Sequence, residues 1–190
     1  MVILNAGWTK MNPWEWLEDQ HLQDICMINS LHPAYLAKVM TPQLTARLGK
    51  KGERGALVFV SSLASMLPNT GNLTYSATKT FCSYLGEGLF YELKDTVDVL
   101  NYMPSSVATN LTAADTQQGG DYITPDRSAE VTFRDLAVEP NTCGDWKHHA
   151  SRGVMEMFPR STLLATSIVE VKKHLKKVED AEKEKAANTV

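Results

Sequence analysis

The run Ala56–Ser62, "ALVFVSS", constrains the fold more than any other part of the chain. It is apolar from Ala56 to Val60, with β-branched Val58 and Val60, and ends in two hydroxyls. A strand with no polar face is covered on both sides, which is the habit of a parallel sheet flanked by helices. Parallel neighbours need long, usually helical, crossovers, and the sequence offers one on each side. Upstream, Val2–Leu4 is a short apolar strand, closed off by Gly7. Residues 12–50 then predict one or two helices, with Leu17, Leu22, Ile25, Ile28 and Leu31 at helical spacing. Pro33 and Pro42 would kink or restart that stretch. Downstream, Tyr75–Lys94 predicts a long helix with Phe81, Tyr84, Leu85, Leu89 and Leu93 on one broad face. Val97–Met103 follows as a third strand, ended by Pro104. Alternation of strand and helix predicts an α/β fold on a parallel sheet with right-handed crossovers.

Beyond Pro104 the periodicity thins. "TPDRSAEVTFRDLA" predicts a helix with Pro125 in its first turn. A last helix is expected from Ser161 to about Ala187. Residues 1–160 are read as one unit and 161–190 as a C-terminal helix with a charged tail. That tail is either a solvated helix or one lying on a membrane surface or a partner. "GKKGERG" follows a helix and precedes a strand, and is read as a surface turn.

Composition narrows the function classes. Of the 190 residues, 43% are hydrophobic and 22% charged, with a formal net charge of −3. That balance gives no reason to expect a nucleic-acid partner. Cys26, Cys82 and Cys143 are odd in number and widely spaced, so neither a disulfide framework nor a metal site is expected. His148 and His149 are read as structural or surface histidines rather than ligands. The apolar runs fall short of the roughly 20 residues a spanning helix needs, and no signal-peptide pattern opens the chain. A reducing, cytoplasmic setting is the expectation.

The chemistry-bearing stretch is "LTYSATKTF", Leu73–Phe81. Tyr75 and Lys79 stand at i and i+4, one turn apart on one helix face. A tyrosine hydroxyl titrates near 10, and an adjacent ammonium would lower that value. The pair could be a tuned general acid/base, or two residues that share an exposed face by chance. Its surroundings bear on the choice. Ser62 ends the buried strand, at the sheet edge where α/β folds bind ligands. Asn29 lies in the preceding helix, "NAG" (Asn5–Gly7) ends the first strand, and "MPSSVAT" carries Pro104, Val107 and Thr109 past the third. Ser61 competes with Ser62, but strand alternation sends the two to opposite faces, and the spacing to Tyr75 favours Ser62.

In order and spacing these residues resemble the short-chain dehydrogenase/reductase family, from about Val2 to Thr109. The resemblance implies a Rossmann-like fold and an NADP- or NAD-dependent oxidoreductase acting on a small-molecule carbonyl or alcohol. It implies that Tyr75 is the acid/base, that Ser62 holds the substrate oxygen, and that Lys79 binds the nicotinamide ribose and lowers the tyrosine pKa. Asn29 would anchor a water. Asn5, Ala6, Gly7, Pro104, Val107 and Thr109 would lie against the cofactor together with Tyr75 and Lys79. The residue after Pro104 departs from the pattern, Ser105 standing where the family has glycine.

The family's glycine-rich phosphate turn, which sits between a strand and a helix, does not occur before Asn5. The resemblance therefore implies an N-terminally incomplete domain: a truncated product, a chain completed by another, or a non-catalytic interaction subunit. The stretch from Tyr75 to Lys94 and the region around "CGDWKHH" resemble the 3-oxoacyl-CoA reductase and 17β-hydroxysteroid dehydrogenase-like branch. That implies a 3-oxoacyl thioester or a steroid ketone as substrate. Met103, Met155 and Met157 could line a pocket for either, or simply fill the core. Relatives dimerise through the long helices, which implies a homo-oligomer.

Overall fold

The computed structural model describes residues 1–112 and 120–187. Four strands form one sheet in the order β1-β2-β3-β4, every pair parallel. They are β1 (Val2–Leu4), β2 (Gly55–Val60), β3 (Val97–Tyr102) and β4 (Asn141–Thr142). The helices are α1 (Asp19–Cys26), α2 (His32–Lys51), α3 (Leu73–Leu93), α4 (Pro125–Asp135), α5 (Trp146–Met157) and α6 (Arg160–Ala187). Among the described residues β1 pairs only with β2, and its Ile3 remains exposed.

Alternation along the strands builds the core. Leu57 and Phe59 of β2, with Val97 and Val99 of β3, pack with Ala37 and Leu44 of α2 and Cys82 of α3. Val58, Leu100 and Tyr102 point the other way and pack on Val131 of α4. The sheet is therefore covered on both faces, as the apolar run predicts. At Gly86 a Cβ would stand 3.1 Å from the Phe59 ring, so the missing side chain lets α3 lie close on β2.

The helical stretch before β2 differs from the expected kink or restart. Helices α1 and α2 are joined by a π turn, Met27–Leu31, in which the His32 N–H reaches the Met27 carbonyl. The turn sits just ahead of Pro33, which has no N–H to offer the carbonyl four residues back, that of Asn29. Pro42 is carried inside α2 without ending it, and α2 runs through the first residues of "GKKGERG" to stop at Gly52. Thr124 caps α4 through its side chain, with Pro125 in the first turn. Asp145 does the same for α5, a helix that the thinning periodicity concealed. The first part of α6 docks on the loop before α3, where Thr70 Oγ1 lies 3.3 Å from Ser167 Oγ and Val171 packs on Gly71. No described helix is long and apolar enough to cross a membrane.

Candidate active site

The carboxyl ends of β1, β2 and β3 open onto one crevice, and most of the expected residues meet there. Asn29, in the π turn, is 1% exposed. Its Oδ1 accepts from the Trp8 N–H at 2.8 Å, while its Nδ2 donates to the Trp8 carbonyl at 2.9 Å and to Thr78 Oγ1 at 3.1 Å. One side chain thus ties the segment leaving β1 to helix α3. Thr78 in turn donates to the Tyr75 carbonyl. Gly7 lies against the same groups, since a Cβ there would stand 3.4 Å from Lys79 Nζ and 3.8 Å from Asn29 Oδ1. Asn5 and Ala6, just before it, are exposed.

Lys79 is buried at 4% exposure. Its ammonium donates to the Val60 carbonyl at 2.8 Å and sits 5.6 Å from the centre of the Tyr75 ring. Burial pushes the lysine below its ordinary value, against an opposing pull from Cys82. Tyr75 is half-buried. Burial raises its phenol above the ordinary tyrosine range, a hydrogen bond with Ser62 pulls it partway back, and Cys82 adds to the rise. The expected lowering by Lys79 is therefore corrected here. The ammonium is engaged with the end of β2 and faces the ring rather than the hydroxyl, so desolvation decides the sign.

The two serines separate as strand alternation requires. Ser61 is buried and donates to the Lys79 carbonyl at 2.7 Å, holding α3 against β2. Ser62 is half-buried and opens a short 3₁₀ turn, Leu63–Ser65, accepting from the Ala64 N–H at 3.1 Å. Its hydroxyl also points to the Pro104 carbonyl, a long contact at 3.5 Å. The Leu63 N–H reaches the same carbonyl at 2.9 Å. Pro104 is thereby fixed at the crevice beside Ser62. Val107 is instead bridged to Ile123, and Thr109 is exposed further along that segment.

A second polar cluster, absent from the sequence-based expectations, holds the segment after β3. The Ser105 hydroxyl donates to the Asp121 carboxylate, which also accepts from Ser151 at 3.1 Å. His148, fully buried on α5, places Nε2 at 3.0 Å from the Asp121 carbonyl and 3.3 Å from that of Ser106. Lys147 donates to the Tyr122 carbonyl. The serine that replaces the family's glycine is thus one arm of a clamp. That replacement was the visible signal, but its partner Asp121 lies too far along the chain to be named from spacing. Burial works to raise the Asp121 pKa, yet hydrogen bonds from Ser105, Ser106 and Ser151, with the charge of His148, hold it below the usual carboxylate value.

A sequence profile of the short chain dehydrogenase family matches residues 1–119. The chain belongs to that family. Among curated relatives, the very-long-chain 3-oxoacyl-CoA reductase of Anas platyrhynchos is 25% identical over 147 residues, covering 77% of this chain and 45% of the relative. An uncharacterized oxidoreductase of Myxococcus xanthus (strain DK1622) is 34% identical over 119 residues, covering 60% of this chain and 43% of the relative. The chain thus spans less than half the length of these two relatives. Among solved structures, a 7beta-hydroxysteroid dehydrogenase superposes with a TM-score of 0.72 at 17% identity, over 87% of this chain and 65% of that one. A short chain dehydrogenase from Burkholderia cenocepacia J2315, in complex with NADP, gives 0.70 at 19% identity, over 86% and 68%. At these identities the superpositions show the shared α/β fold.

Proposed function

We propose that this member of the short-chain dehydrogenase family is the catalytic part of an NADP- or NAD-dependent oxidoreductase, with Tyr75 as its acid/base. The observation that carries the reading is the joint burial of Tyr75 and Lys79 beside Ser62, Asn29 and Gly7 where three parallel strands end. The crevice suits the nicotinamide-ribose end of such a cofactor. The close approach at Gly7 keeps side chains out of it. Lys79 has three N–H donors, of which one is met by Val60, so others can reach ribose hydroxyls. Asn5, Ala6 and Pro104 would form the remaining wall, with Val107 and Thr109 on the segment that leads away from it. Residues 1–160 would carry this chemistry, with 161–190 outside it.

A reduced nicotinamide, when bound, supplies the hydride. The chain's own residues handle the proton. With its pKa raised, the Tyr75 phenol is protonated at neutral pH and can donate to a carbonyl oxygen as negative charge develops there. Ser62, bonded to Tyr75, would hold the same oxygen. The water expected at Asn29 would rest on its backbone carbonyl, which Pro33 deprives of the regular helical donor, because the amide is engaged with Trp8 and Thr78. The protonated phenol is the form that carbonyl reduction needs, whereas alcohol oxidation would need the phenolate. A 3-oxoacyl thioester is supported by the name of the Anas platyrhynchos relative, and a steroid ketone by the sequence resemblance.

The phosphate-binding turn expected by resemblance is not among these 190 residues, so the proposal gives the chain the nicotinamide end alone. Titration with NADPH and with NADH, on the purified chain and on the chain with any polypeptide that copurifies, tests it. Saturable binding in either form is expected, and none in both would overturn the reading. Exposed Tyr35 and Val39 on α2, with Tyr84 and Tyr91 on α3, support self-association through those helices. Sedimentation of Tyr35→Glu should then shift toward monomer.

A further inference from the structure

Two consecutive residues at the end of β2 hold Lys79 at its two ends. At the tip, the ammonium donates to the Val60 carbonyl at 2.8 Å. At the base, the Lys79 backbone carbonyl accepts from the Ser61 hydroxyl at 2.7 Å. That second bond is additional to the helix. Lys79 lies inside α3, where its carbonyl also serves the N–H four residues on, that of Ser83. Ser61 is 2% exposed and is itself anchored, its N–H reaching the Tyr102 carbonyl of β3 at 2.8 Å. Its hydroxyl is thus a fixed point of the sheet to which one residue of α3 is tied.

The arrangement bears on how the ammonium is aimed. A lysine has a flexible four-carbon stem, so its tip is directed only when its base stands at a set distance from the acceptor. Ser61 sets that distance, because the two bonds fix Lys79 to adjacent residues of one strand. The tip lies in the space that Gly7 leaves, where a Cβ would stand 3.4 Å from Nζ. With one N–H on Val60, the directions of the other two follow. Holding both ends removes the stem's freedom before any ligand arrives, which lowers the cost of binding one. Other hydrogen bonds stitch α3 to the turn after β2 without touching Lys79. Thr80 Oγ1 donates to the Ser65 carbonyl at 2.8 Å, and Ser83 Oγ to Ser65 Oγ at 3.4 Å.

We propose that Ser61 is a positioning residue of the active site: by holding the Lys79 carbonyl, its hydroxyl keeps the Lys79 ammonium aimed at the ribose hydroxyls of a nicotinamide cofactor. This role rests on the oxidoreductase reading of the same crevice. Ser61 itself would touch neither cofactor nor substrate.

Two measurements on the full chain, with any polypeptide that copurifies, test it. The first needs no cofactor and is proton–nitrogen NMR of the chain labelled at its lysines. A buried ammonium bonded to a carbonyl exchanges its protons slowly and gives its own signal, identified by its absence in Lys79→Arg. Ser61→Ala and Ser61→Cys, the second close in size but a weak donor, should both shift that signal or lose it to exchange. Both leave the Lys79 carbonyl its helical donor, so the fold should persist. Thr80→Val removes a comparable stitch from the next residue of the helix and should leave the signal in place. The second measurement is titration with NADPH and NADH. Both Ser61 variants should bind about fivefold more weakly, for want of one hydrogen bond, and Thr80→Val as the native chain does. A native chain without the Lys79 signal, a signal unmoved in both Ser61 variants, one moved as far by Thr80→Val, or cofactor affinity unchanged by the Ser61 variants would each overturn the proposal. Absence of nucleotide binding by the native chain would overturn the oxidoreductase reading instead, and the lysine signal then still upholds or refutes the hold of Ser61 on the ammonium.

Discussion

At the ends of β1 and β2 burial outweighs hydrogen bonding; beyond β3 the balance is reversed. In the first region Tyr75 is held above its ordinary pKa against a hydrogen bond with Ser62, and Lys79 below its own against the pull of Cys82. In the second, Asp121 is also drawn from water, but three serines and His148 more than offset that cost. The difference lies in the number of partners supplied. Desolvation acts on every buried ionisable group, and its outcome is set by the donors within reach. The crevice leaves its proton-bearing groups under-solvated and poised to react, while the Ser105–Asp121 clamp satisfies its carboxylate and serves position.

The largest effect that would sharpen this contrast is on chemistry. Tyr75→Phe should lower turnover by about 10³-fold, within the range for loss of a general acid, while cofactor titration is unchanged. Retained turnover would refute the assigned role. Next is the tether. Asn29→Ala strands the Trp8 N–H and carbonyl together with Thr78, and should cost about 2–3 kcal/mol in urea denaturation. A loss below about 0.5 kcal/mol would show that the tether is dispensable.

Asp121→Asn probes the clamp and should cost about 1 kcal/mol near neutrality. The folded carboxyl has a depressed pKa, so its contribution is fully present above the unfolded value of about 3.9 and is lost as pH falls through the lower folded value. The variant should flatten stability against pH on the acid side, and an unchanged slope would break the comparison. The smallest effect is spectroscopic. Absorbance titration of phenolate should show two tyrosines, Tyr75 and Tyr102, ionising later than the exposed ones, with one of the two missing in Tyr75→Phe and shifted later still in Ser62→Ala. Because that pKa is raised, stability should decline as pH climbs past about 10, where the unfolded chain ionises first.

Strands β1 and β2 were legible because covered parallel strands are written as apolar runs, β3 because its apolar residues are broken only by Asp98 and Asn101 before Pro104, and α3 because its apolar residues recur at helical spacing. The Tyr75–Lys79 pair was legible as a motif, but its electrostatics were not. The sign of the tyrosine shift depends on where the Lys79 ammonium points, and the Val60 carbonyl that draws it away belongs to another element. Strand β4 has two residues, too few for a period. Helix α5 did carry a signal, an aspartate cap at Asp145. The π turn needed both Pro33 and the tie from Asn29 to Trp8, one local and one distant.

That π turn has a consequence for insertions and deletions. A π turn is one residue longer than the α-helical turn it replaces, so it behaves as an insertion frozen into the helix. Deleting a residue within Met27–Leu31 would let α1 and α2 merge into a regular helix, at little cost in backbone bonding. The flanking helices would keep their faces, because the widened turn had absorbed the extra residue, but the turn that aims Asn29 at Trp8 and Thr78 would be gone. Apart from Asn29, residues 27–31 should therefore tolerate changes of identity better than changes of number.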